Sequence, residues 1–415
     1  MPGSEPHHLE ISPFSHPVYV MVKPAGAQCN LACRYCYYLE KSGMYGHSGG
    51  QNMSREMLEL FTRQYIAAQT QREVLFVWHG GETMLRPLSF YQEALRLQKK
   101  YAKGHIIDNC LQTNGTLITE EWCEFFKENN WLIGVSLDGP EAMHDTYRKD
   151  RHGEGTFKKV MRGVELLNRY GVEWNAMAVV NSSNANHPQE FYHFFKDIGC
   201  HYIQFTPIVE RMVPTLTPPL DGLSSENSLE MTPETVQPQQ WGNFLCSIFD
   251  EWVAEDVGEY FIQLFDATLA NWVGVEPGVC SMAKFCGNAL AIEHNGDLFS
   301  CDHFVFPQYK LGNIRHQPIA ELCYSEQQNT FRKLKQKLPA QCRRCKYEFA
   351  CHGECPKNRL IHTADGEAGL NYLCEGYRQF FAHVEPYMEF MAREWREDGA
   401  PANVMQAVAQ GLFTR

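Results

Sequence analysis

The chain has 415 residues, with 37 Lys and Arg against 49 Asp and Glu for a net charge of −12, and it carries 16 cysteines. That length suffices for two or three domains with a sizeable core. No run approaches the roughly 18 to 20 apolar residues of a membrane span, and the acidic balance argues against nucleic acid, whose phosphates are bound by Lys and Arg.

The first residues lack the basic start and apolar run of a secretory signal, so a cytoplasmic location is expected. Thiols stay reduced there, and many cysteines then point to metal ligation or redox chemistry before disulfides. Along the chain, short β-branched or aromatic runs alternate with amphipathic ones. Strands are predicted over 16–23, 73–78, 106–112, 132–137, 172–180 and 201–205. Between them, Ser54 opens a helix to Ala68, Ser89 one to Tyr101, Thr119 one to Asn129, and Thr156 one to Tyr170 that Gly171 stops. Helices over 187–198, ended by Gly199, and over 239–256, after a Pro-, Ser- and Thr-rich loop at 214–233, complete the series.

Six strand-then-helix units predict a parallel sheet covered by helices. Six are too few to close an eight-stranded barrel, so a partial, TIM-like (β/α)6 barrel is expected over 16–240. In such folds chemistry collects in the loops just after each strand. Cys29, Cys33 and Cys36 follow strand one, His79-Gly80-Gly81-Glu82 strand two, and Thr113-Asn114-Gly115 strand three. Strand four runs into Ser136-Leu137-Asp138-Gly139, strand five into Asn181, and strand six into Thr206-Pro207. From about Phe261 the pattern changes to short segments punctuated by Cys, Gly and Pro. A helical linker is expected over 241–275, a metal-dependent domain over 276–385, and a C-terminal helix and tail over 386–415.

Cys29-x3-Cys33-x2-Cys36 places three thiols on one short loop with no fourth Cys or His nearby. A structural zinc site wants four ligands, whereas three thiolates suit a [4Fe–4S] cluster that leaves one iron open. This spacing resembles the signature of the radical S-adenosylmethionine superfamily. The resemblance implies that the open iron chelates the amino and carboxylate groups of S-adenosylmethionine, and that reduction then yields a 5′-deoxyadenosyl radical. It also implies cofactor contacts from Tyr35, from Gly80, Gly81 and Glu82 at the ammonium, from Ser136 at the ribose, from Arg148 at the carboxylate, and from Val209. On its own, Arg148 in the charged stretch 144–151 would read as a solvated surface residue.

Farther on, the spacings are Cys280-x5-Cys286-x14-Cys301 and Cys342-x2-Cys345-x5-Cys351-x3-Cys355-x18-Cys374. Eight thiols make two four-ligand sites, for which zinc and iron–sulfur are both open by ligand count. The array resembles the SPASM domain, which carries two auxiliary [4Fe–4S] clusters. That resemblance implies Cys280, Cys286, Cys301 and Cys355 on one cluster, and Cys342, Cys345, Cys351 and Cys374 on the other. Cys110, Cys123, Cys200, Cys246 and Cys323 are left for packing.

Cys301-Asp302-His303, with the stretches 111–118, 136–140 and 204–211, narrows the resemblance to the anaerobic sulfatase-maturating enzymes over about 18–387. These convert a Cys or Ser in a Cys/Ser-x-Pro-x-Arg motif of a nascent sulfatase to Cα-formylglycine. The resemblance implies three [4Fe–4S] clusters, S-adenosylmethionine, and a low-potential electron donor such as flavodoxin or ferredoxin. The adenosyl radical would take a hydrogen atom from Cβ while Asp302 removes the thiol or hydroxyl proton, with its pKa expected to be raised by burial and a nearby anionic cluster. His79 stands where relatives carry Gln, and Thr83 where they carry Pro. An imidazole adds a group able to titrate near neutrality, or one that donates a comparable hydrogen bond. His79 is expected to face the peptide substrate, and Tyr38 either to line the peptide pocket or to pack in the core. Other SPASM peptide modifiers, forming thioether or carbon–carbon crosslinks, and a zinc-bound structural protein are the competing readings.

Overall fold

A computed structural model describes residues 18–45, 51–212, 229–287 and 289–413. Residues 16 and 17 of the first predicted strand and most of the 214–233 loop lie outside them. In chain order the elements are β1 (Tyr19–Lys23), α1 (Arg55–Ala68), β2 (Glu73–Trp78), α2 (Leu88–Tyr101), β3 (Ile106–Thr113), α3 (Glu120–Glu128), β4 (Leu132–Ser136), α4 (Glu141–Tyr147), α5 (Phe157–Tyr170), β5 (Trp174–Val180), α6 (Pro188–Asp197), β6 (Tyr202–Pro207), α7 (Pro238–Glu251), β7 (Phe261–Ile262), α8 (Gln263–Val273), β8 (Ala289–Glu293), β9 (Asp297–Phe299) and β10 (Lys310–Asn313).

The predicted alternation is present, and local chemistry explains most boundaries. Ser54 and Thr119 cap α1 and α3, their hydroxyls accepting from the Met57 and Trp122 N–H groups. Gly171, at φ 63°, stops α5. Two expected caps differ. α2 starts before Ser89, because Pro87 in an extended conformation already sets the entry of the chain. The Thr156 hydroxyl caps nothing and instead donates to the Arg148 carbonyl at 2.8 Å. The charged stretch after Gly139 holds a helix, α4, that periodicity did not announce.

The chain forms two compact units, residues 1–29, 38–112 and 288–331 in the first, residues 30–37, 113–287 and 332–415 in the second. In the first unit β1, β2 and β3 run parallel, with Val22 opposite Trp78 and Trp78 opposite Leu111. β8 lies parallel on the other side of β1, from Tyr19 opposite Ala289 to Lys23 opposite Glu293, and β9 and β10 continue antiparallel. Three strands between residues 289 and 313, which cysteine spacing groups with the metal-dependent part, are thus built into this sheet. Leu290, Ala291 and Ile292 are buried with Val20, Val22, Phe76 and Trp78, the apolar run of a strand covered on both faces.

In the second unit β4, β5, β6 and β7 are parallel neighbours. The helix Cys374–Arg396 packs against α7, and a Cβ on Gly376 would sit 2.2 Å from the Pro238 carbonyl oxygen. Only glycine permits that approach. Among the described residues no helix is long and apolar enough to cross a membrane.

Candidate active site

Parallel register brings the carboxyl ends of β1 and β2 together, and the His79 N–H donates to the Val22 carbonyl at 2.8 Å. β1 ends on Lys23, which is fully buried. Its ammonium is paired with the Asp302 carboxylate, lies 3.0 Å from His79 Nδ1, and sits 4.7 Å from the centre of the Tyr38 ring. The residues expected to act as base and to face the substrate therefore meet on one lysine that motif reading passed over. The only trace of it in the sequence is a cation closing the apolar run of a strand.

Two donors converge on His79 Nδ1, the Lys23 ammonium and the Gly80 N–H at 2.8 Å. Neither can accept, so Nδ1 is the acceptor and the imidazole proton rests on Nε2. Burial, then the charge of Lys23, pushes the imidazole from 6.5 down to about 4. That direction argues against titration near neutrality and leaves a neutral imidazole bearing its proton on Nε2. Asp302 also departs from expectation. Burial would raise its carboxyl, but Lys23, with His79 and His303, outweighs that and holds it well below the usual carboxylate range. The Tyr38 hydroxyl donates to the buried Glu293 carboxylate, which follows from β8 standing beside β1.

The glycines after β2 answer to the protein's own backbone. The Gly81 N–H donates to the Gly26 carbonyl at 2.9 Å and the Glu82 N–H to the Gln28 carbonyl at 2.6 Å. A Cβ on Gly81 would fall 2.0 Å from the Gln28 oxygen. This loop therefore carries the segment that leads into Cys29. Glu82 is fully buried, and its carboxylate accepts the Met84 N–H at 2.9 Å.

In the second unit, residues 30–37 are pinned to the strip after α4. The Ala32 N–H donates to the Lys149 carbonyl at 2.8 Å, and Asn30 bonds Thr116 at 2.9 Å and Asn114 at 2.8 Å. Arg148 is only 7% exposed and grips Asp138 with two nitrogens, Nε at 2.9 Å and Nη2 at 3.0 Å. Its reading as a surface residue is excluded. Asp138 also accepts the Tyr35 hydroxyl and, at 2.9 Å, the Val179 N–H. Ser136 ends β4, and the Val209 carbonyl accepts from Lys357 at 3.0 Å.

Ten of the eleven cysteines expected as cluster ligands are at least partly exposed, Cys33 being buried. Among the five left for packing, Cys123, Cys200, Cys246 and Cys323 are buried and Cys110 is half-buried. Within the second unit the thiols fall into two neighbourhoods. Cys355 feels the charge of Cys280 and Cys286, while Cys351 and Cys374 both feel Cys342, and Cys374 also Cys345. Among the described residues, no three His, Cys, Asp or Glu side chains are gathered tightly enough to hold a single metal ion. Thiol-only donor sets fit iron–sulfur clusters. Around Cys280, buried Lys335 donates to the Cys280 and Ser281 carbonyls, and Arg359 donates to those of Lys335, His352 and Gly353.

Residues 24–195 match the Radical SAM superfamily, and residues 280–346 match SPASM, an iron–sulfur cluster-binding domain. A serine-type anaerobic sulfatase-maturating enzyme of Bacteroides thetaiotaomicron is 60% identical over 96% of this chain and 97% of its own. The chain belongs to the anaerobic sulfatase-maturating enzymes. Within that family, the cysteine-type enzyme of Clostridium novyi is 32% identical over 90% of this chain and 97% of its own. The solved structure of native anSMEcpe with bound AdoMet and Cp18Cys peptide aligns at a TM-score of 0.79, with 32% identity, over 91% of this chain and 99% of that chain. The expected fold class holds, a radical SAM domain with a parallel sheet together with a SPASM domain.

Proposed function

We propose that this maturase is of the serine type, oxidising Cβ of a Ser in a Ser-x-Pro-x-Arg stretch of a nascent sulfatase to Cα-formylglycine. The observation that carries this is Asp302, a buried carboxylate next to Cys301 and paired with the Lys23 ammonium. The 60% identity to a serine-type enzyme supports the choice of target.

Cys29, Cys33 and Cys36 would hold the cluster that binds S-adenosylmethionine. Cys280, Cys286, Cys301 and Cys355 would hold one auxiliary cluster, and Cys342, Cys345, Cys351 and Cys374 the other. When bound, these groups supply the radical that takes a hydrogen atom from Cβ and the sink that accepts the remaining electron. Asp302 accepts the hydroxyl proton. Its low basicity is no obstacle, because loss of the Cβ hydrogen acidifies the adjoining hydroxyl, and a carboxylate already ionised is always ready. Arg148, with Ser136, Glu82, Tyr35 and Val209, would orient the cofactor, Asp138 keeping the guanidinium in place. A low-potential flavodoxin or ferredoxin would deliver the electron, in the cytoplasm. Along the chain the domains would run 16–240 for the barrel core, 241–275 for the linker, 276–385 for the auxiliary-cluster domain and 386–415 for the C-terminal helix and tail.

The test is anaerobic incubation of the reduced enzyme with S-adenosylmethionine and Ser- or Cys-centred peptides. Formylglycine from the Ser peptide is expected. Release of 5′-deoxyadenosine with an unchanged peptide mass overturns the proposal.

A further inference from the structure

His79 stands at the carboxyl end of β2 with one ring nitrogen held by the protein. Its Nδ1 is occupied by two donors, Lys23 from β1 and the Gly80 N–H. Among the described residues no hydrogen bond engages Nε2. The charged or titratable groups that face the ring are Lys23 on β1 and Asp302 and His303 in the segment after β9. Asp302 shares the same ammonium. One lysine thus sets side by side a fixed N–H donor and a fixed carboxylate acceptor.

A serine hydroxyl has one proton to give and lone pairs to receive, so it complements such a pair. A thiol gives a proton too, but its sulfur is a weak acceptor and gains little from an N–H. Resting on the maturase reading, we propose that His79 is a specificity-determining residue, whose Nε2–H, locked in place by Lys23, binds the side-chain oxygen of a target serine and turns its proton toward Asp302. Lys23 acts as a positioning residue through both partners. The acceptor role of Nδ1 leaves no room for a second ring proton, and the push of the imidazole to about 4 agrees with that geometry.

Two measurements on the iron-loaded enzyme test this. The first compares Ser- and Cys-centred peptides. His79→Ala should lower kcat/KM for the Ser peptide about tenfold, the loss of one hydrogen bond to a desolvated group, and change the Cys peptide by less than about threefold. His79→Gln, which offers an amide N–H, should restore the Ser peptide to within about threefold. Equal losses on both peptides, or no rescue by Gln, would overturn the specificity role. The second follows exchange of the imidazole C2 proton by mass spectrometry, which needs no turnover. The His79 midpoint should lie near 4 and move toward 6.5 in Lys23→Met, whose uncharged side chain fills similar space. A wild-type midpoint near 6.5 overturns the locked tautomer. An enzyme that cleaves S-adenosylmethionine but converts neither peptide overturns the maturase reading and the serine assignment together, while the exchange midpoint still decides the tautomer.

Discussion

Each unit gathers its functional side chains around one buried charge, and the two charges are opposite. In the first, the Lys23 ammonium collects Asp302, His79 and Tyr38. In the second, the Asp138 carboxylate collects Arg148, Tyr35 and the Val179 N–H. A neutral histidine attends each centre, His79 half-buried and His144 buried. His144 accepts the Asp138 N–H on Nδ1 at 3.3 Å, and its Nε2 bonds Thr156 at 3.1 Å. The difference lies in what the centre must preserve. On the proposed function the cation keeps the proton acceptor Asp302 ionised, so its failure should appear in chemistry. The anion neutralises a buried guanidinium, so its failure should appear in binding and stability.

The largest effect should come from the first centre. Asp302→Asn should retain iron content and 5′-deoxyadenosine release while formylglycine formation falls by at least about a hundredfold, the weight of a lost general base; unchanged product in a peptide mass assay would dissolve the comparison. Asp138→Asn should instead cost about 3 kcal/mol in thermal unfolding, because it leaves Arg148 charged and unpaired in the interior. It should also weaken S-adenosylmethionine binding, measured by calorimetry.

Acid should act on both centres in one direction. His79 and His144 each sit near 4 in the folded chain against 6.5 when free. The unfolded chain therefore binds more protons, and stability is complete above pH 6.5 and lost as pH falls toward 4. Each group accounts for roughly 2 to 3 kcal/mol of that loss. Anaerobic melts between pH 4.5 and 7.5 should show this slope, and His144→Asn should flatten it. The smallest effect is expected away from both centres. Cys323→Ala removes a buried thiol and should leave iron content unchanged, whereas Cys342→Ala should lower it.

Much of this was legible along the chain, for identifiable reasons. β2 matches its predicted span, since Glu73–Trp78 is a short β-branched and aromatic run between polar turns. Ser54, Thr119 and Gly171 speak for themselves, because caps and stops are decided within a few residues. The cysteine arrays were plain from spacing. What stayed hidden is long-range. Nothing near residue 289 says that Ala289–Glu293 will pair with β1, and without that pairing Asp302 has no visible relation to Lys23 or Tyr38. Asp138 reads as an ordinary turn residue until Arg148 and Tyr35 are seen to converge on it.

The pairing of β1 with β8 also sets a schedule. Lys23 and Glu293 are direct neighbours although they lie 270 positions apart in the chain. A contact that closes so long a loop is slow to form and cannot begin before its second strand exists. At roughly 5 to 20 residues per second on the ribosome, the first strand waits on the order of 15 to 50 seconds for its neighbour. Through that interval Cys29 is already made while the sheet beneath it is unfinished. Iron delivered to the growing chain would meet thiols before the fold that should hold them, which favours loading after the last strands have been released.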